Sequence, residues 1–543
     1  MSQFHDKHPF ARLRQILRLE SDALSIAIIY SASVGLLSLA MPVATQSLVN
    51  TIAFGNLLQP LVVLSLLVLT VLSISAVLQA LRFHVVEILQ RRIFVRISSD
   101  SANRLLRARA DALREQNGPE LVNRFLEVVT LQKSASTLLV DGLSVLMQTV
   151  IGMILLAVYH PWLLAFDILM LAGILLVTFP LGFGAVSTAI QESKAKYDLV
   201  AWLEETARFP ATFRGRAAMS YALRRTDRLV GEYLTHRSAH FRILLRQYLG
   251  ALGLQAIASA ALLGVGGWLV ISRQLTLGQL IAAELVVTVV VSGFSKLGKH
   301  LEVFYDLLAA MDKLGYLTDI PLESTGAEPP LRATGPVRVT LRGGPWPLEI
   351  PPGQRVAITG HSGSGKSRLI DTICGYRPVP DGAIEIDGVD IRQLRLSDLR
   401  ATMALVRSVE IFHGTILENL RVGRDNLDIP AINDALARTG LLKQVAALPA
   451  GLDTMLATGG TPLSEGQSQA LVMARAIAGR PSFLAIDETL DHIQDVEERQ
   501  LLLDTLFDSQ APWTLLVATA RADILERCQR VIHLEGGTVR EAA

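Results

Sequence analysis

A glycine-rich segment in the second half of the chain has the residue types and spacing that hold a phosphate chain. It fits the pattern G-x-x-x-x-G-K-S, and its residues are Gly360, His361, Ser362, Gly363, Ser364, Gly365, Lys366 and Ser367. The glycines allow the backbone to wrap phosphates with successive N–H groups. Lys366 is predicted to reach the β- and γ-phosphates and Ser367 to ligate Mg²⁺. We therefore expect ATP and Mg²⁺ as cofactors.

A second segment, 483–488, is apolar and ends in two acids. We expect Asp487 to hold Mg²⁺, directly or through a water molecule, and Glu488 to orient and deprotonate the attacking water. Taken alone, the pattern also fits the solvated end of a strand. Beside a phosphate-binding loop it favours a nucleotide-hydrolysing site with Glu488 as the catalytic residue.

These two segments need a sheet to position them. Short β-branched runs alternate with helical patterns, and the segments that show this are 355–359, 367–374, 483–487 and 513–518. This alternation is typical of a mostly parallel α/β sheet. Proline and glycine recur between the two parts of the chain and favour a linker at 317–336. The sequence therefore predicts a nucleotide-binding domain at 337–543.

The rest of the chain is much more apolar. Half of all residues are hydrophobic, 19% are charged and the mean hydropathy is +0.38, which predicts a membrane portion. Two polar connections, 82–133 and 191–246, keep a helical period and are predicted to extend the spans far beyond the bilayer. Six spans are predicted, at 24–49, 59–81, 138–159, 162–183, 248–271 and 277–295.

Positive charge is distributed unevenly around these spans. Arginine and lysine concentrate in the two long connections, whereas the joins on the other side carry almost no charge. Excess positive charge marks the cytoplasmic side. Both termini are therefore predicted to be cytosolic, in a multi-pass protein of the inner (cytoplasmic) membrane. The first 22 residues are charged and lack the apolar core of a cleavable signal, so we expect a cytosolic elbow segment at 1–22 before a membrane domain at 23–316.

Three further segments resemble those of a known family. The segments 414–420 and 275–280 are similar to the G-T-I-x-E-N segment and to the start of the last span of ATP-binding cassette (ABC) exporters. A third resembles the ABC signature motif, with Glu465 in place of a glycine, and its residues are Leu463, Ser464, Glu465, Gly466 and Gln467. The chain thus resembles an exporter-type half-transporter, nearest in look to bacterial peptide and type I secretion exporters.

The resemblance implies an all-α membrane domain, with six transmembrane helices and long cytosolic extensions, followed by an α/β P-loop NTPase domain of ABC ATPase type. It also implies a dimer in which the signature segment of one subunit closes over the ATP bound by the other. The start of a helix suits that role, because its free N–H groups and positive dipole end attract an anion.

Three further positions, each in a loop that the family uses at the ATP site, depart from the family's pattern. Arg407 stands at the Q-loop glutamine, Gln494 at the D-loop aspartate and Ala520 at the switch histidine. Loss of a hydrogen-bond donor such as that histidine costs about 10²–10³ in rate at comparable sites. Arg407 either clamps phosphate with its guanidinium or lies exposed at a domain contact, and both readings stay open. We expect ATP to bind and to be hydrolysed slowly or asymmetrically.

Three residues outside the motifs have types and positions that bear on function. Trp346 is the candidate for an adenine contact, with core packing or a loop anchor as the alternative that its residue type favours. Glu284 lies within an apolar run, roughly 12 Å along its helix, and is the candidate for a substrate or proton pathway. Asp167 is expected nearer the outer surface and hydrated.

Two functions follow from these observations. The first is an ATP-driven exporter that uses alternating access and works as a homodimer or with a second half-transporter, in contact with membrane lipid and with a periplasmic adaptor if export crosses two membranes. The alternative is a nucleotide-gated scaffold or regulatory subunit of a heterodimer that binds ATP and barely hydrolyses it. The net charge of +1 gives no reason to expect nucleic acid. The sequence does not indicate the cargo.

Overall fold

The computed structural model describes residues 9–54, 58–115, 118–324, 326, 335–379, 381–493, 496–535 and 538–541. The chain divides into two compact units. The first comprises Met1–Ala108 and Ala112–Pro321, and the second comprises Arg109–Asp111 and Leu322–Ala543.

The described part of the first unit is helical. Its principal helices are Pro9–Leu19, Ser21–Leu37, Ala40–Phe54, Leu58–Arg107, Gly118–Asn123, Glu127–Thr137, Leu143–Tyr159, Pro161–Thr178, Ala185–Arg208, Pro210–Phe213, Arg216–Ile271 and Leu277–Thr318, with a π-helical turn at Leu138–Gly142. The short helix Ala110–Glu115 begins with two residues that are assigned to the second unit. A tight turn separates two of the spans: His160 is extended, and Pro161 occupies the first turn of the next helix, where the missing N–H of proline removes no hydrogen bond.

Two helices are far longer than a bilayer requires. Leu58–Arg107 has 50 residues and Arg216–Ile271 has 56, so they measure about 75 and 84 Å against a hydrocarbon core of about 30 Å. This confirms that spans continue well beyond the membrane. Among the described residues, five helical stretches are long and apolar enough to cross, and Leu277–Val290 is a shorter apolar stretch at the position of the sixth predicted span.

The first predicted span differs in detail from a single straight helix. It consists of Ser21–Leu37 followed by Ala40–Phe54. Pro42 explains the interruption, because it has no N–H to donate to the carbonyl of Ser38, four residues earlier. The spans pack through apolar side chains, and one buried cluster includes Leu156, Leu163, Phe166, Met170, Leu262 and Leu269.

A six-stranded sheet forms the centre of the second unit. Five strands are parallel and one edge strand is antiparallel, in the order Thr538–Glu541, Arg530–Glu535, Arg355–Thr359, Thr514–Ala518, Phe483–Asp487 and Met403–Val406. Each of the predicted strands at 355–359, 483–487 and 513–518 is present. Leu484 and Ile486 pack in one hydrophobic cluster, whereas Phe483 and Ala485 pack in another, so the sheet is covered on both faces, as parallel sheets require.

Smaller sheets and helices surround this centre. An antiparallel sheet has the strand order Leu348–Ile350, Val339–Arg342, Ala383–Ile386 and Val389–Asp390, and Gly414–Thr415 pairs with Met455–Leu456. The helices are Lys366–Ile373, Leu396–Thr402, Ile416–Arg421, Ile429–Arg438, Leu442–Ala447, Glu465–Ala478, Val496–Leu506 and Ala522–Leu525, with short helical turns at Gly451–Asp453 and Thr489–His492. Most of the predicted linker lies outside the described residues.

Candidate functional site

The phosphate-binding segment joins the strand Arg355–Thr359 to the helix Lys366–Ile373. All three glycines of the segment have positive φ, namely Gly360 at 149°, Gly363 at 83° and Gly365 at 103°, a conformation that a side chain would disfavour. The Lys366 ammonium donates hydrogen bonds to the carbonyl oxygens of Gly360, at 2.9 Å, and His361, at 3.3 Å. The loop therefore has the backbone that a phosphate cradle needs, with its lysine folded over it.

The two acids at the end of Phe483–Asp487 have different surroundings. The Asp487 side chain is 3% exposed and the Glu488 side chain is 53% exposed. Glu488 has a φ of +59°, a left-handed conformation that costs roughly 1–2 kcal/mol for a residue other than glycine. Its N–H donates to the carbonyl of Ala518 on the neighbouring strand at 3.0 Å, which holds the carboxylate at the carboxyl edge of the sheet.

Arg407 reaches into this group of residues. Its Nε donates to Oδ2 of Asp487 at 2.7 Å, and its Nη2 lies 2.8 Å from Oδ1 of Asp371. The same Nη2 donates to the carbonyl oxygen of Ser367 at 3.4 Å. Burial favours a lower pKa for Arg407, but hydrogen bonds and charge attraction from Asp371 and Asp487 outweigh it and raise the pKa. The guanidinium is therefore a fixed positive charge bridging two carboxylates, an arrangement that neither reading of the sequence contained.

Sequence reasoning missed Asp371. Its side chain is 4% exposed and also pairs with Arg377 at 3.3 Å. A local signal was available, because Asp371 lies four residues after Ser367 and so occupies the same face of the helix that follows the phosphate loop. The spacing could not predict that the cation paired with Asp371 is Arg407.

The residues at this site provide suitable oxygen ligands for Mg²⁺. The metal prefers carboxylate, hydroxyl and phosphate oxygens, and Ser367 and Asp487 supply the first two kinds. Oδ1 of Asp487 is buried and has no hydrogen-bond partner among the described residues, whereas Oδ2 is already bound by Arg407. One carboxylate oxygen is thus available to a metal, and the other is shared with a guanidinium.

The signature segment forms the start of the helix Glu465–Ala478. The Ser464 hydroxyl accepts a hydrogen bond from the N–H of Gln467 at 3.2 Å, and the Gln467 side chain accepts one from the N–H of Ser464 at 2.9 Å. This reciprocal capping fixes the first turn. Ser464, Glu465 and Gly466 are exposed, whereas Leu463 packs against the core. Among the described residues, no hydrogen bond or ion pair joins this segment to the phosphate loop of the same chain.

The segment around Ala520 is held by an acid. The Thr519 hydroxyl donates to Oδ1 of Asp491 at 2.6 Å, and the N–H of Ala520 donates to Oδ2 at 3.4 Å. Ala520 itself is exposed at the exit of the strand Thr514–Ala518. Gln494, the departure at the D-loop, lies outside the described residues.

Burial favours packing over an adenine contact for Trp346. The residue is 5% exposed and belongs to a hydrophobic cluster with Leu348 and Ile350. The Arg368 guanidinium lies 5.9 Å from the ring centre. A buried indole has no free face on which a base can stack, so the surroundings of Trp346 favour packing in the core.

The two carboxylates in the apolar runs differ in exposure. Glu284 is exposed and, with Ser259 and Thr288, lines a cavity of about 60 Å³. Asp167 is 3% exposed, and its Oδ2 has no hydrogen-bond partner among the described residues. The expectation of a hydrated Asp167 is wrong, because the helix Pro161–Thr178 turns this side toward neighbouring helices rather than outward.

Comparison with known proteins gives a match on each unit. The family model described as ABC transporter matches residues 345–491, and the model described as ABC transporter transmembrane region matches residues 24–206. The first range contains the phosphate loop, the signature segment and both acids of the strand end. The second contains four of the predicted spans.

Relatives and a solved structure agree with these matches. The chain is 37% identical over 198 residues to the ATP-dependent lipid A-core flippase of Thiobacillus denitrificans, covering 36% of this chain and 34% of that protein. It is 29% identical over 430 residues to the flippase of the same name from Xanthomonas euvesicatoria pv. vesicatoria, covering 74% and 71%.

A solved bacterial Atm1-family ABC exporter with ATP bound has the same fold, with a TM-score of 0.80 and 22% identity over 97% of this chain and 95% of that one. The chain belongs to the ABC transporters and joins a transmembrane region to an ABC-type ATPase domain in one polypeptide.

Proposed function

We propose that the chain is an ATP-driven exporter of the half-transporter type that acts as a dimer. The observation that carries this proposal is the convergence of Lys366, Asp487 and Glu488 at one edge of the parallel sheet, with an ion-pair distance of 3.2 Å between Lys366 and Glu488. A separate exposed helix start, at Ser464, supplies the second half of a composite site. Both halves occur on one chain, so two copies, or this chain with another half-transporter, complete two sites.

The residues suggest how one site would work. The N–H groups of 360–367 and the Lys366 ammonium of one copy bind the phosphates. In the partner copy, Ser464 and the helix start that follows it close over the γ-phosphate. Ser367 and Oδ1 of Asp487 would hold Mg²⁺, which draws charge from the phosphate oxygens when bound. Glu488 orients the attacking water and accepts its proton.

The membrane part of the proposal rests on charge and length. The uneven distribution of lysine and arginine supports a location in the inner membrane with both termini in the cytosol. We propose domains at 1–22, 23–316, 317–336 and 337–543. ATP binding would favour one packing of the helices and hydrolysis the other, which is a population shift. Glu284, exposed beside a small cavity, is the proposed pathway residue.

The names of two relatives suggest a substrate class. Two relatives are named lipid A-core flippases, so amphipathic lipids are one class of transported substrate to test. A periplasmic adaptor would be required only for export across two membranes.

A nucleotide-gated scaffold is the second candidate, and one observation favours it. Arg407 binds Asp487 where a glutamine is usual, and Ala520 offers no side-chain donor. A chain with these features would bind ATP and hydrolyse it slowly, alone or beside an active partner.

Steady-state ATP hydrolysis by the purified chain in lipid separates the two candidates. We expect measurable turnover in the wild type and none in Lys366→Ala, whose ATP affinity should also fall at least tenfold. Lys443→Ala, an exposed lysine of the same domain, is the matched control and should behave as wild type. Background turnover in the wild type, alone and mixed with a second half-transporter, together with normal ATP binding, would overturn the exporter and favour the scaffold.

A further inference from the structure

Strand pairing fixes the position of Arg407. The strand Met403–Val406 pairs in parallel with Phe483–Asp487, and Val406 lies opposite Ile486. Arg407 follows Val406 and Asp487 follows Ile486, so these two residues lie side by side. The hydroxyl of Thr489 donates to the carbonyl of Arg407 at 3.1 Å, so the backbone on both sides of the ion pair is held.

Burial makes this pairing strong. The Asp371 and Asp487 side chains are 4% and 3% exposed, and buried carboxylates require a positive partner or a metal. Arg407 supplies one charge to both, through Nη2 to Asp371 at 2.8 Å and through Nε to Asp487 at 2.7 Å. In a phosphate site, a bound metal usually neutralises such a carboxylate. Here Arg407 supplies part of that positive charge to Asp487.

The guanidinium also lies next to the phosphate cradle. Its Nη2 is 3.4 Å from the carbonyl oxygen of Ser367, in the first turn of the helix that follows Lys366. A guanidinium at that place attracts phosphate oxygens and offers several donors in a fixed plane. The same side chain can therefore serve the carboxylate and the nucleotide.

We propose that Arg407 is a built-in cation of the nucleotide site, so that a nucleoside triphosphate binds with nearly the same affinity with and without Mg²⁺. The proposal rests on the proposed function only in taking 360–367 as the nucleotide site. It assigns Arg407 to binding and positioning, and it leaves proton transfer with Glu488.

Equilibrium binding of radiolabelled ATP to the full-length protein in lipid tests this directly. The dissociation constant of ATP is measured with excess Mg²⁺ and with EDTA. The quantity compared between variants is the ratio of the value in EDTA to the value with Mg²⁺. We expect a ratio below about 3 for the wild type and above about 10 for Arg407→Gln, because the glutamine carries no charge and leaves Asp487 dependent on the metal.

Two further variants keep the test interpretable. Arg377→Gln removes another cation that pairs with Asp371, at 3.3 Å, and should leave the ratio as in the wild type. Asp371→Asn/Arg407→Gln removes one buried carboxylate together with its cation, so the domain keeps its charge balance. If Arg407→Gln alone fails to fold, this double variant should show the raised ratio.

The outcomes separate this inference from the function beneath it. A wild type that binds ATP only with Mg²⁺, or a ratio that stays unchanged when Arg407 is replaced, overturns the built-in cation and leaves the exporter intact. A wild type that binds no ATP under either condition overturns the proposed function itself.

Discussion

The Lys366 ammonium lies 3.2 Å from Oε1 of Glu488, so the phosphate-binding lysine and the proposed general base form an ion pair. Glu488 is half exposed, and such a pair is worth at most about 1 kcal/mol. A triphosphate can therefore displace the carboxylate from Lys366 at little cost. Glu488 is then released toward the position from which it activates water.

Glu488→Gln should separate binding from hydrolysis. The amide keeps the shape of the side chain but cannot accept the proton, so we expect turnover to fall at least about 100-fold. ATP affinity should be equal or up to a few-fold higher, because Lys366 no longer has a competing anion. Hydrolysis and ATP binding are measured side by side, with the exposed Glu526→Gln as the control. Turnover close to wild type would remove Glu488 from the catalytic role.

Glu465 should weaken closure of the dimer. Its carboxylate is exposed at the first residue of the helix Glu465–Ala478, where it stabilises the helix but repels a phosphate that approaches the same N–H groups. Glu465→Gln should lower the ATP concentration for half-maximal subunit association by about 2–5-fold, from an interaction of roughly 0.3–1 kcal/mol. Energy transfer between labelled subunits, in the Glu488→Gln background, measures it. Glu465→Asp keeps the charge, and an equal effect from both changes would refute the explanation.

Ala520→His should increase turnover. The backbone around residue 520 is held by Asp491, so a histidine there starts from a fixed position. A donor at this place is worth up to about 10²–10³ in rate at comparable sites, and we expect a gain of at least about tenfold. Ala520→Leu is the control, because it adds volume without a donor. The prediction fails if the two variants hydrolyse ATP equally.

Lys313 should make stability depend on pH. It is 2% exposed in the helix Leu277–Thr318, beyond the apolar part, and burial lowers its pKa from 10.5 to about 8. The unfolded chain therefore holds this proton more tightly than the folded chain. The resulting penalty is present in full below pH 8 and disappears as the pH rises from 8 to 10.5.

Lys313→Met removes that penalty. We expect a gain of roughly 2 kcal/mol at pH 7, after subtraction of the lost contacts with the Tyr197 and Tyr316 rings, and a smaller gain at pH 10. Thermal unfolding of both proteins at the two pH values measures it, with the exposed Lys133→Met as the control. A gain that does not shrink with rising pH would contradict the assignment.

The motifs could be predicted because their chemistry is local. The phosphate loop 360–367, the acids Asp487 and Glu488 and the capped start at Ser464 each depend on a few adjacent residues. Helix length and apolar content likewise follow from contiguous sequence, so the long spans were predictable. The antiparallel sheet was not, because its strands are only two to four residues long and show little periodicity.

By itself, the sequence determined which groups were available: a phosphate cradle, two acids, a helix start and the apolar spans. Tertiary structure alone decided which of them meet. Arg407 reaches Asp487 across 80 residues because their strands are paired, and Trp346 and Asp167 are buried because neighbouring elements cover them. A side chain's surroundings are set by strand order and helix packing, which no local pattern specifies.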